Sequence, residues 1–339
     1  MLKKSEIFQR MNELGTEKIP FLFIIDFLKE YGKVIPLDEL NEEIKFSINA
    51  DYQEFNAGIN LNKSPISFDE YEAQFNLVQK NILLGNSYLT NLTCATPIEI
   101  NLNLEEIYRF SRAKYKLFWK DKFVCFSPET FVKIKNGKIY SYPMKGTIDA
   151  SVENAEAKIL ADEKEMAEHA TIVDLIRNDL SQIAKRVKVE KFRYIDQIAT
   201  HDRKILQVSS EISGELPENF HENLGEIFDK LLPAGSICGA PKKKTVEIIG
   251  ESESYERGFY TGVFGVFDGE NLDSAVMIRF IEIHRQAQYD NVNQNETFDI
   301  RHAEPVEAMV FKSGGGITSQ SKAKDEYNEM IQKVYVPIY

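Results

Sequence analysis

A lysine and a glutamate that flank one expected hairpin form the first candidate catalytic pair. The dipeptide Asn136-Gly137 is a strong signal for a two-residue turn between strands. Counting outward from this turn places Glu129 opposite Met144. The same count places Lys145 opposite Pro128, so an amine and a carboxyl lie about one residue apart. A β-bulge would decide whether they share a face. A buried lysine can act as a nucleophile and a shielded glutamate as a general acid; the alternative is an ordinary exposed lysine.

Two pairs of glutamates at helical spacing are candidate metal ligands. Glu165 and Glu168 form one pair, and Glu326 and Glu329 form the other. Because residues three apart lie on one helix face, each pair presents two carboxylates together. Two such pairs across a cleft would supply the hard oxygen ligands that Mg²⁺ prefers. Lys333, one turn beyond Glu329, could hold a substrate carboxylate, although such charges are usually only a solvated helix face.

Three consecutive glycines form a candidate anion-binding segment. Gly314, Gly315 and Gly316 precede Ile317, and their backbone N–H groups could form a nest close to a helix start. The segment does not match the phosphate-binding loops of nucleotide-binding proteins. A plain tight turn is the alternative.

Tyr260 and Arg279 form a candidate clamp for a carboxylate. If residues 268–271 form a four-residue loop, these two side chains lie directly opposite each other on a β-hairpin. A guanidinium fork beside a phenol suits a carboxylate ligand. A structural pair on a half-buried sheet would look the same.

Helical and strand patterns alternate along the chain and must position these residues. The capping-box spacing of Ser67 and Glu70 predicts a helix that ends at Gly85. Further patterns predict helices near 153–176, 224–232 and 323–334, and strands near 19–28, 87–96, 187–195 and 205–212. We expect a single α/β domain over 1–339, with an N-terminal part (1–66) and a motif-bearing core (67–335). The segment 284–309 is rich in Asn, Gln and charge, which indicates a surface-loop insertion.

Charge and composition exclude several classes of function. The 339 residues carry 41 basic and 53 acidic side chains, for a net charge of −12, which argues against a nucleic-acid partner. The 3 cysteines show no metal-binding or disulfide spacing. No signal peptide or membrane span is apparent. We therefore expect a soluble, cytoplasmic protein.

Several longer stretches, taken in order, resemble those of the chorismate-utilising enzymes. They lie at 85–93 (GNSYLTNLT), 127–131 (SPETF), 143–147 (PMKGT), 167–180 (AEHATIVDLIRNDL), 233–242 (PAGSICGAPK), 257–265 (RGFYTGVFG), 313–317 (SGGGI) and 325–333 (DEYNEMIQK). The resemblance implies the fold of anthranilate synthase component I, a single large domain of antiparallel sheets flanked by helices. The active site would occupy its central cleft.

Within this family, Lys145 indicates the reaction. Anthranilate, isochorismate and salicylate synthases carry alanine at this position, whereas lysine marks aminodeoxychorismate synthase component I. The resemblance then implies that Lys145 attacks C2 of chorismate while Glu129 protonates the leaving C4 hydroxyl. Ammonia, delivered by a separate glutamine amidotransferase subunit, would enter at C4 and give 4-amino-4-deoxychorismate for 4-aminobenzoate and folate synthesis. This chain contains no such glutaminase domain.

The resemblance also assigns the binding residues. Glu168 and Glu329 would ligate Mg²⁺, with Glu165 and Glu326 bound directly or through water. The substrate carboxylates would be held by a larger set: Thr147, Tyr260, Arg279, Lys333 and the amides of Gly314, Gly315 and Gly316. Gln207 stands where a histidine is common in the family. Anthranilate or isochorismate synthesis and a non-catalytic chorismate-binding subunit are the alternatives.

Overall fold

Two antiparallel sheets form the centre of the protein. The computed structural model describes residues 1–49, 53–55, 57–199, 204–285 and 307–338. The expected loop at 284–309 lies mostly outside these residues. Residues 284, 285 and 307–309 are described and belong to paired strands, so the prediction of a loop is wrong for these five.

The first sheet has ten strands among the described residues. Its order is β1 (Leu2–Lys3), β3 (Tyr31–Pro36), β2 (Phe21–Ile25), β15 (Val263–Phe267), β16 (Leu272–Val276), β9 (Thr130–Lys135), β10 (Lys138–Ser141), β13 (Lys204–Glu215) and β11 (Met144–Asp149), with β12 (Lys185–Ala199) also paired to β13. The Asn136-Gly137 hairpin is confirmed, because Lys135 pairs with Lys138. The loop at 268–271 between β15 and β16 is also confirmed.

The second sheet has eight strands in the same described part of the chain. Its order is β14 (Gly239–Ala240), β6 (Leu89–Ile100), β18 (Glu307–Ile317), β17 (Phe280–Arg285), β8 (Phe123–Ser127), β7 (Tyr115–Trp119) and β4 (Ile44–Ile48), with β5 (Leu61–Lys63) paired to β6.

Helices cover the outer faces of both sheets. They are α1 (Lys4–Thr16), α2 (Phe68–Leu83), α3 (Leu104–Phe110), α4 (Ala155–Ala161), α5 (Glu163–Ser181), α6 (Leu224–Leu231), α7 (Gly235–Cys238), α8 (Lys242–Ser252) and α9 (Ala323–Gln332), with 3₁₀ turns at Leu37–Glu39 and Phe220–Asn223. The capping box of Ser67 and Glu70 is confirmed at the start of α2. The single helix expected at 153–176 is instead α4 and α5, because Asp162 is extended and its side chain caps α5 at the N–H of Glu165.

The strand β2 shows why the two sheets pack face to face. Its five residues are all apolar and fully buried. Phe21, Phe23 and Ile25 face the core beneath α1 and α6. Leu22 and Ile24 point the other way and pack with residues of β7, β15 and β17. A continuous apolar run, without polar alternation, is typical of a strand covered on both sides.

Two of the places where the chain crosses between the sheets lie next to each other. Residues 128–129 join β8 of the second sheet to β9 of the first, and residues 277–279 join β16 to β17 in the opposite direction. Backbone hydrogen bonds tie the crossings together: the N–H of Val276 donates to the carbonyl of Glu129, and that of Phe126 donates to the carbonyl of Arg279. The fold thus brings Glu129 and Arg279 together from positions 150 residues apart.

No helix among the described residues combines the length and the apolar composition that a membrane crossing requires.

Candidate active site

A cavity of about 700 Å³ lies between α5, β11, α7 and the end of β18. Its volume falls in the range of small-molecule sites, roughly 300–1,000 Å³. The lining residues are Tyr88, Leu89, Glu129, Met144, Lys145, Glu163, Ala167, Glu168, Thr171, Ile172, Ser236, Gly316, Thr318, Ser319 and Gln320. Both residues of the expected catalytic pair, Glu129 and Lys145, therefore face one space.

Lys145 forms an ion pair on one wall of this cavity. Its Nζ lies 2.8 Å from Oε2 of Glu168, and the two side chains are 32% and 16% exposed. Burial alone would lower the pKa of Lys145, but the hydrogen bond and charge of Glu168, together with the charges of Glu165 and Glu329, raise it above its ordinary value. The lysine is thus held as an ammonium, and it becomes a nucleophile only after it has lost a proton.

The strand that carries Lys145 has a different partner from the one that the sequence predicted. The hairpin does not continue to Met144; β11 pairs with β13, and a bulge lies between Met144 and Thr147. The expected pairings of Glu129 with Met144 and of Lys145 with Pro128 are therefore wrong. Gly146 has φ +85°, and a Cβ there would lie 2.9 Å from Oε2 of Glu165. Glycine is required because the turn is left-handed and α5 packs closely.

Thr147 is not among the residues that line the cavity. It is exposed and pairs with Gln207 of β13. Its expected part in substrate binding stays a prediction.

Glu129 lines another part of the cavity, at the crossing between the sheets. It is half-buried, and the hydroxyl of Ser236 donates to its Oε1 at 2.7 Å. Burial raises the pKa of Glu129, although the Ser236 hydrogen bond and the positive charges of Arg279 and Lys333 oppose this. A carboxyl group with a raised pKa can keep its proton near neutral pH, as a general acid requires.

Arg279 lies at the second crossing, beside Glu129. Its guanidinium is 5.1 Å from the ring of Tyr335, and its Nε is buried with no hydrogen-bond partner among the described residues. A buried donor without a partner is costly in a protein. The group is therefore suited to receive a ligand carboxylate.

The expected direct pairing of Tyr260 with Arg279 is wrong. The ladder between β15 and β16 ends at the pair Val263–Val276, and the chain then crosses to the other sheet. Tyr260 is 4% exposed and packs against Phe280 in the core between the sheets. Burial raises the pKa of the Tyr260 phenol, and the positive charge of Arg279 opposes this.

The three glycines lie in a strand, so the expectation of a turn near a helix start is wrong. Gly314, Gly315 and Gly316 pair with β6, whereas β17 stops beside Lys312. The carbonyl of Gly314 turns away from β6 and accepts a hydrogen bond from Lys333 at 2.8 Å. Because a strand residue points its N–H and C=O to the same side, the amides of Gly314 and Gly316 also face away from β6.

The four glutamates approach Lys145 from two helices. Glu165 and Glu168 come from α5, and Glu326 and Glu329 come from α9. A Cβ at Gly315 would lie 3.4 Å from Oε2 of Glu326, which shows how closely α9 approaches β18. Burial raises the pKa of Glu326, although a hydrogen bond from Ser321 opposes this.

Cations already neutralise part of this acidic cluster. Besides the pair of Lys145 with Glu168, Nζ of Lys333 lies 2.7 Å from Oε1 of Glu329. Among the described residues, no three Asp, Glu, His or Cys side chains are close enough to hold a metal as they stand. The donor set is nevertheless all carboxylate oxygen, which suits Mg²⁺. A bound ion would require these side chains to turn toward one another.

Sequence reasoning missed Ser236, which lines the cavity, and His169, which lies near the backbone of Lys145 but does not line the cavity. Ser236 bonds Glu129, and His169 is fully buried with Nε2 2.7 Å from Oγ of Ser210. Burial, together with the charge of Arg193, lowers the pKa of His169 to about 4, so the ring is neutral. Both lie in stretches that carry the family resemblance, 233–242 and 167–180. That resemblance was the signal that could have found them.

Comparison with protein-family models shows which family the chain belongs to. The model for chorismate binding enzymes matches residues 36–338, nearly the whole chain. The chain belongs to this family. Membership implies catalysis on chorismate, and the cavity between Lys145 and Glu129 is the candidate site for it.

Curated relatives of the family differ in how much of their length the chain covers. The chain is 48% identical over 335 residues to an uncharacterized PabA-like protein of Haemophilus influenzae, covering 97% of this chain and 96% of that protein. It is 31% identical over 292 residues to chloroplastic anthranilate synthase alpha subunit 2 of Oryza sativa subsp. japonica, covering 81% of this chain and 46% of that protein.

Solved structures confirm the expected fold. Anthranilate synthase component I from Streptococcus pneumoniae TIGR4 is 27% identical, with a TM-score of 0.63, over 80% of this chain and 58% of that chain. The chain thus spans little more than half of that protein. MenF, the menaquinone-specific isochorismate synthase from Escherichia coli, gives a TM-score of 0.72 at 13% identity, over 98% of this chain and 81% of that chain. The α/β fold of antiparallel sheets and flanking helices is therefore shared.

Proposed function

We propose that this protein is a Mg²⁺-dependent aminodeoxychorismate synthase component I. The observation that carries the proposal is that Lys145 and Glu129 both line one cavity. Lysine at this position marks the members of the family that transfer ammonia to C4 of chorismate. A lysine and a glutamate with raised pKa values that line one cavity favour an enzyme over a non-catalytic binding protein.

The reaction begins at Lys145. Its ion pair with Glu168 must open and Nζ must lose a proton, and Glu168 is the acceptor within hydrogen-bond distance. The free amine attacks C2 of chorismate, the two ring double bonds shift, and the bond between C4 and its hydroxyl breaks. Glu129 donates the proton that turns the leaving hydroxyl into water. A covalent intermediate of this kind divides one difficult substitution into two easier ones.

Ammonia completes the reaction at C4. Its nitrogen forms the new bond while the double bonds shift back and the bond between C2 and Lys145 breaks. The ammonium form that ammonia takes up in water is not nucleophilic, so we propose that a separate glutamine amidotransferase subunit delivers ammonia to the cavity. The product is 4-amino-4-deoxychorismate, the precursor of 4-aminobenzoate.

Cationic groups around the cavity would hold the two carboxylates of the substrate. Arg279 offers a buried Nε with no partner among the described residues, and Lys333 lies beside the strand of Gly314 and Gly316. These cations account for how a chain of net charge −12 would bind a dianion.

Mg²⁺ would be held by Glu168 and Glu329, with Glu165 and Glu326 bound directly or through water. When bound, the ion supplies positive charge for the ring carboxylate of the substrate. The oxygen-only donor set supports this assignment.

Anthranilate synthesis is the second candidate, favoured by the identity to plant anthranilate synthase. Mass spectrometry of the products from purified protein, chorismate, Mg²⁺ and an ammonium salt separates the two. The proposal predicts a product that yields 4-aminobenzoate only after aminodeoxychorismate lyase is added. Anthranilate, isochorismate or salicylate would overturn the specificity. Chorismate binding without turnover, with ammonia and with a glutaminase subunit present, would overturn the proposal of an enzyme.

A further inference from the structure

Ser236 makes a direct contact with the carboxyl group of Glu129. The hydroxyl of Ser236 donates to Oε1 at 2.7 Å, and both residues line the cavity. The two residues are 107 positions apart in the chain, so the contact depends on the fold.

The backbone around Ser236 is held from two sides. A Cβ at Gly235 would lie 2.8 Å from Oδ2 of Asp179, so α7 packs directly on α5. Asp179 is 2.8 Å from Nζ of Lys242, which also donates to the carbonyl of Leu231. The ion pair is mostly buried, at 10% and 18% exposure. It fixes the segment between α6 and α8, so the Ser236 hydroxyl is set in place before any ligand arrives.

The hydrogen bond from Ser236 decides which oxygen of the Glu129 carboxyl group carries the proton. A hydroxyl can donate to a carboxylate oxygen and equally to the carbonyl oxygen of the protonated acid. While Ser236 donates to Oε1, that oxygen is the favoured acceptor, and the proton of the acid resides on Oε2.

We propose that Ser236 is a positioning residue for proton transfer: it engages Oε1 of Glu129 and directs the acidic proton, on Oε2, toward the leaving hydroxyl at C4. This inference rests on the proposed role of Glu129 as general acid. In the transfer itself, the bond between Oε2 and its proton breaks, the proton bonds to the departing oxygen, and Glu129 is left as a carboxylate that Ser236 still stabilises.

The charges around Glu129 fix the sign of the expected pH effect. Arg279 and Lys333 favour the carboxylate, as does the Ser236 hydrogen bond, whereas burial favours the acid. Lys145 and Glu168 line the same cavity as an ion pair. Removing the hydroxyl takes away one group that favours the carboxylate, so the pKa of Glu129 must rise. The acid then keeps its proton to higher pH but loses its orientation.

The first test measures the Glu129 carboxyl without turnover. NMR of protein labelled with ¹³C at the glutamate carboxyl group, with the signal assigned by Glu129→Gln, gives its pKa in the wild type and in Ser236→Ala. We expect a higher pKa in Ser236→Ala and a wild-type value in Ser236→Thr, which keeps the hydroxyl. An unchanged pKa in Ser236→Ala would overturn the contact. This result does not depend on which chorismate product the enzyme makes.

The second test measures turnover. Ser236→Ala should lower kcat about tenfold, a fraction of the roughly 10²–10⁴-fold that a general acid contributes. It should leave KM nearly unchanged. The pH at which kcat declines should be higher than in the wild type. Ser236→Thr should restore the wild-type kcat and the wild-type pH dependence. A change in KM alone, or a wild-type kcat and pH profile in Ser236→Ala, would overturn the positioning role.

A matched control removes the same kind of bond elsewhere. The hydroxyl of Ser213 donates to Oε1 of Glu190 at 2.6 Å, and neither residue lines the cavity. Ser213→Ala should leave kcat and its pH profile unchanged. If the wild type forms another chorismate product by loss of the C4 hydroxyl, the proposed function fails, whereas the Ser236 effects are still expected.

Discussion

The cavity holds two glutamates, Glu168 and Glu129, in different electrostatic settings. On the α5 wall, an ammonium and a carboxylate, Lys145 and Glu168, neutralise each other in a charged cluster. On the wall formed by the sheet crossings, burial raises the pKa of Glu129, and the neutral hydroxyl of Ser236 donates a hydrogen bond to its carboxyl group. The difference shows how one small space can hold a nucleophile and a proton donor, because each wall sets its own protonation state.

Loss of the amine is expected to have the largest effect. Lys145→Ala removes the nucleophile and should lower 4-amino-4-deoxychorismate formation by about 10³-fold or more, since covalent catalysis is lost. Steady-state assay of 4-aminobenzoate, with the lyase in excess, measures this. Lys133→Ala is the matched control: Lys133 pairs with Asp273 at 2.7 Å, has a similar exposure of 28%, and does not line the cavity. If Lys145→Ala kept the activity of the wild type, Lys145 would not be the nucleophile, and the proposed difference between the two walls would be wrong.

Loss of the acid is expected to cost less. Glu129→Gln keeps the shape of the side chain but cannot donate the proton, so kcat should fall by roughly 10²–10³-fold. In the wild type the acid form is active, and activity should decline as pH rises through the raised pKa of Glu129. That decline should be absent from the residual activity of Glu129→Gln, as a pH–rate profile would show. Glu190→Gln serves as the control.

Weakening the metal ligands should have an intermediate effect. Glu326→Gln should raise the Mg²⁺ concentration needed for turnover by about tenfold, as is typical when a supporting ligand is altered. Isothermal titration of Mg²⁺ into the protein with chorismate measures binding apart from turnover. Equal Mg²⁺ affinity in Glu326→Gln and the wild type would remove Glu326 from the site.

A backbone change on the α5 wall should give the smallest effect. Gly146→Ala puts a side chain at φ +85° and 2.9 Å from Glu165, which should destabilise the protein by about 1–3 kcal/mol. Gly250→Ala is the control, because a Cβ in this helical position meets nothing within 4 Å and should stabilise by up to about 1 kcal/mol. Chemical denaturation measures both. A stable Gly146→Ala would show that the bulge tolerates a different conformation.

Short sequence motifs predicted where helices and hairpins begin or turn, but they did not predict which strands pair when the strands are far apart in the chain. The capping box of α2 and the Asn136-Gly137 turn are short-range features, and both are confirmed. The hairpin could not be extended to Lys145 because β11 takes its partner, β13, from some sixty residues further along the chain. Another long-range pairing, of β18 with β6, makes the expected glycine nest part of a strand: a Cβ at Gly314 would lie 2.2 Å from the carbonyl oxygen of Leu92.

The family motifs identified most of the site where periodicity could not. They pointed to Lys145, Glu129 and the two glutamate pairs, and the structure brings Lys145, Glu129 and Glu168 to one cavity. They did not indicate the contact of Ser236 with Glu129, which exists only because two sheet crossings and α7 meet. Hydrogen bonds between segments so far apart have no sequence pattern of their own.

The most direct test of the central claim is the intact mass of the protein after reaction with chorismate and Mg²⁺ in the absence of ammonia. The account predicts a covalent adduct equal in mass to chorismate less one water, located by peptide mapping on Lys145 and absent from Lys145→Ala. Unmodified protein in a preparation that turns over once ammonia is added, or an adduct on another residue, would contradict it.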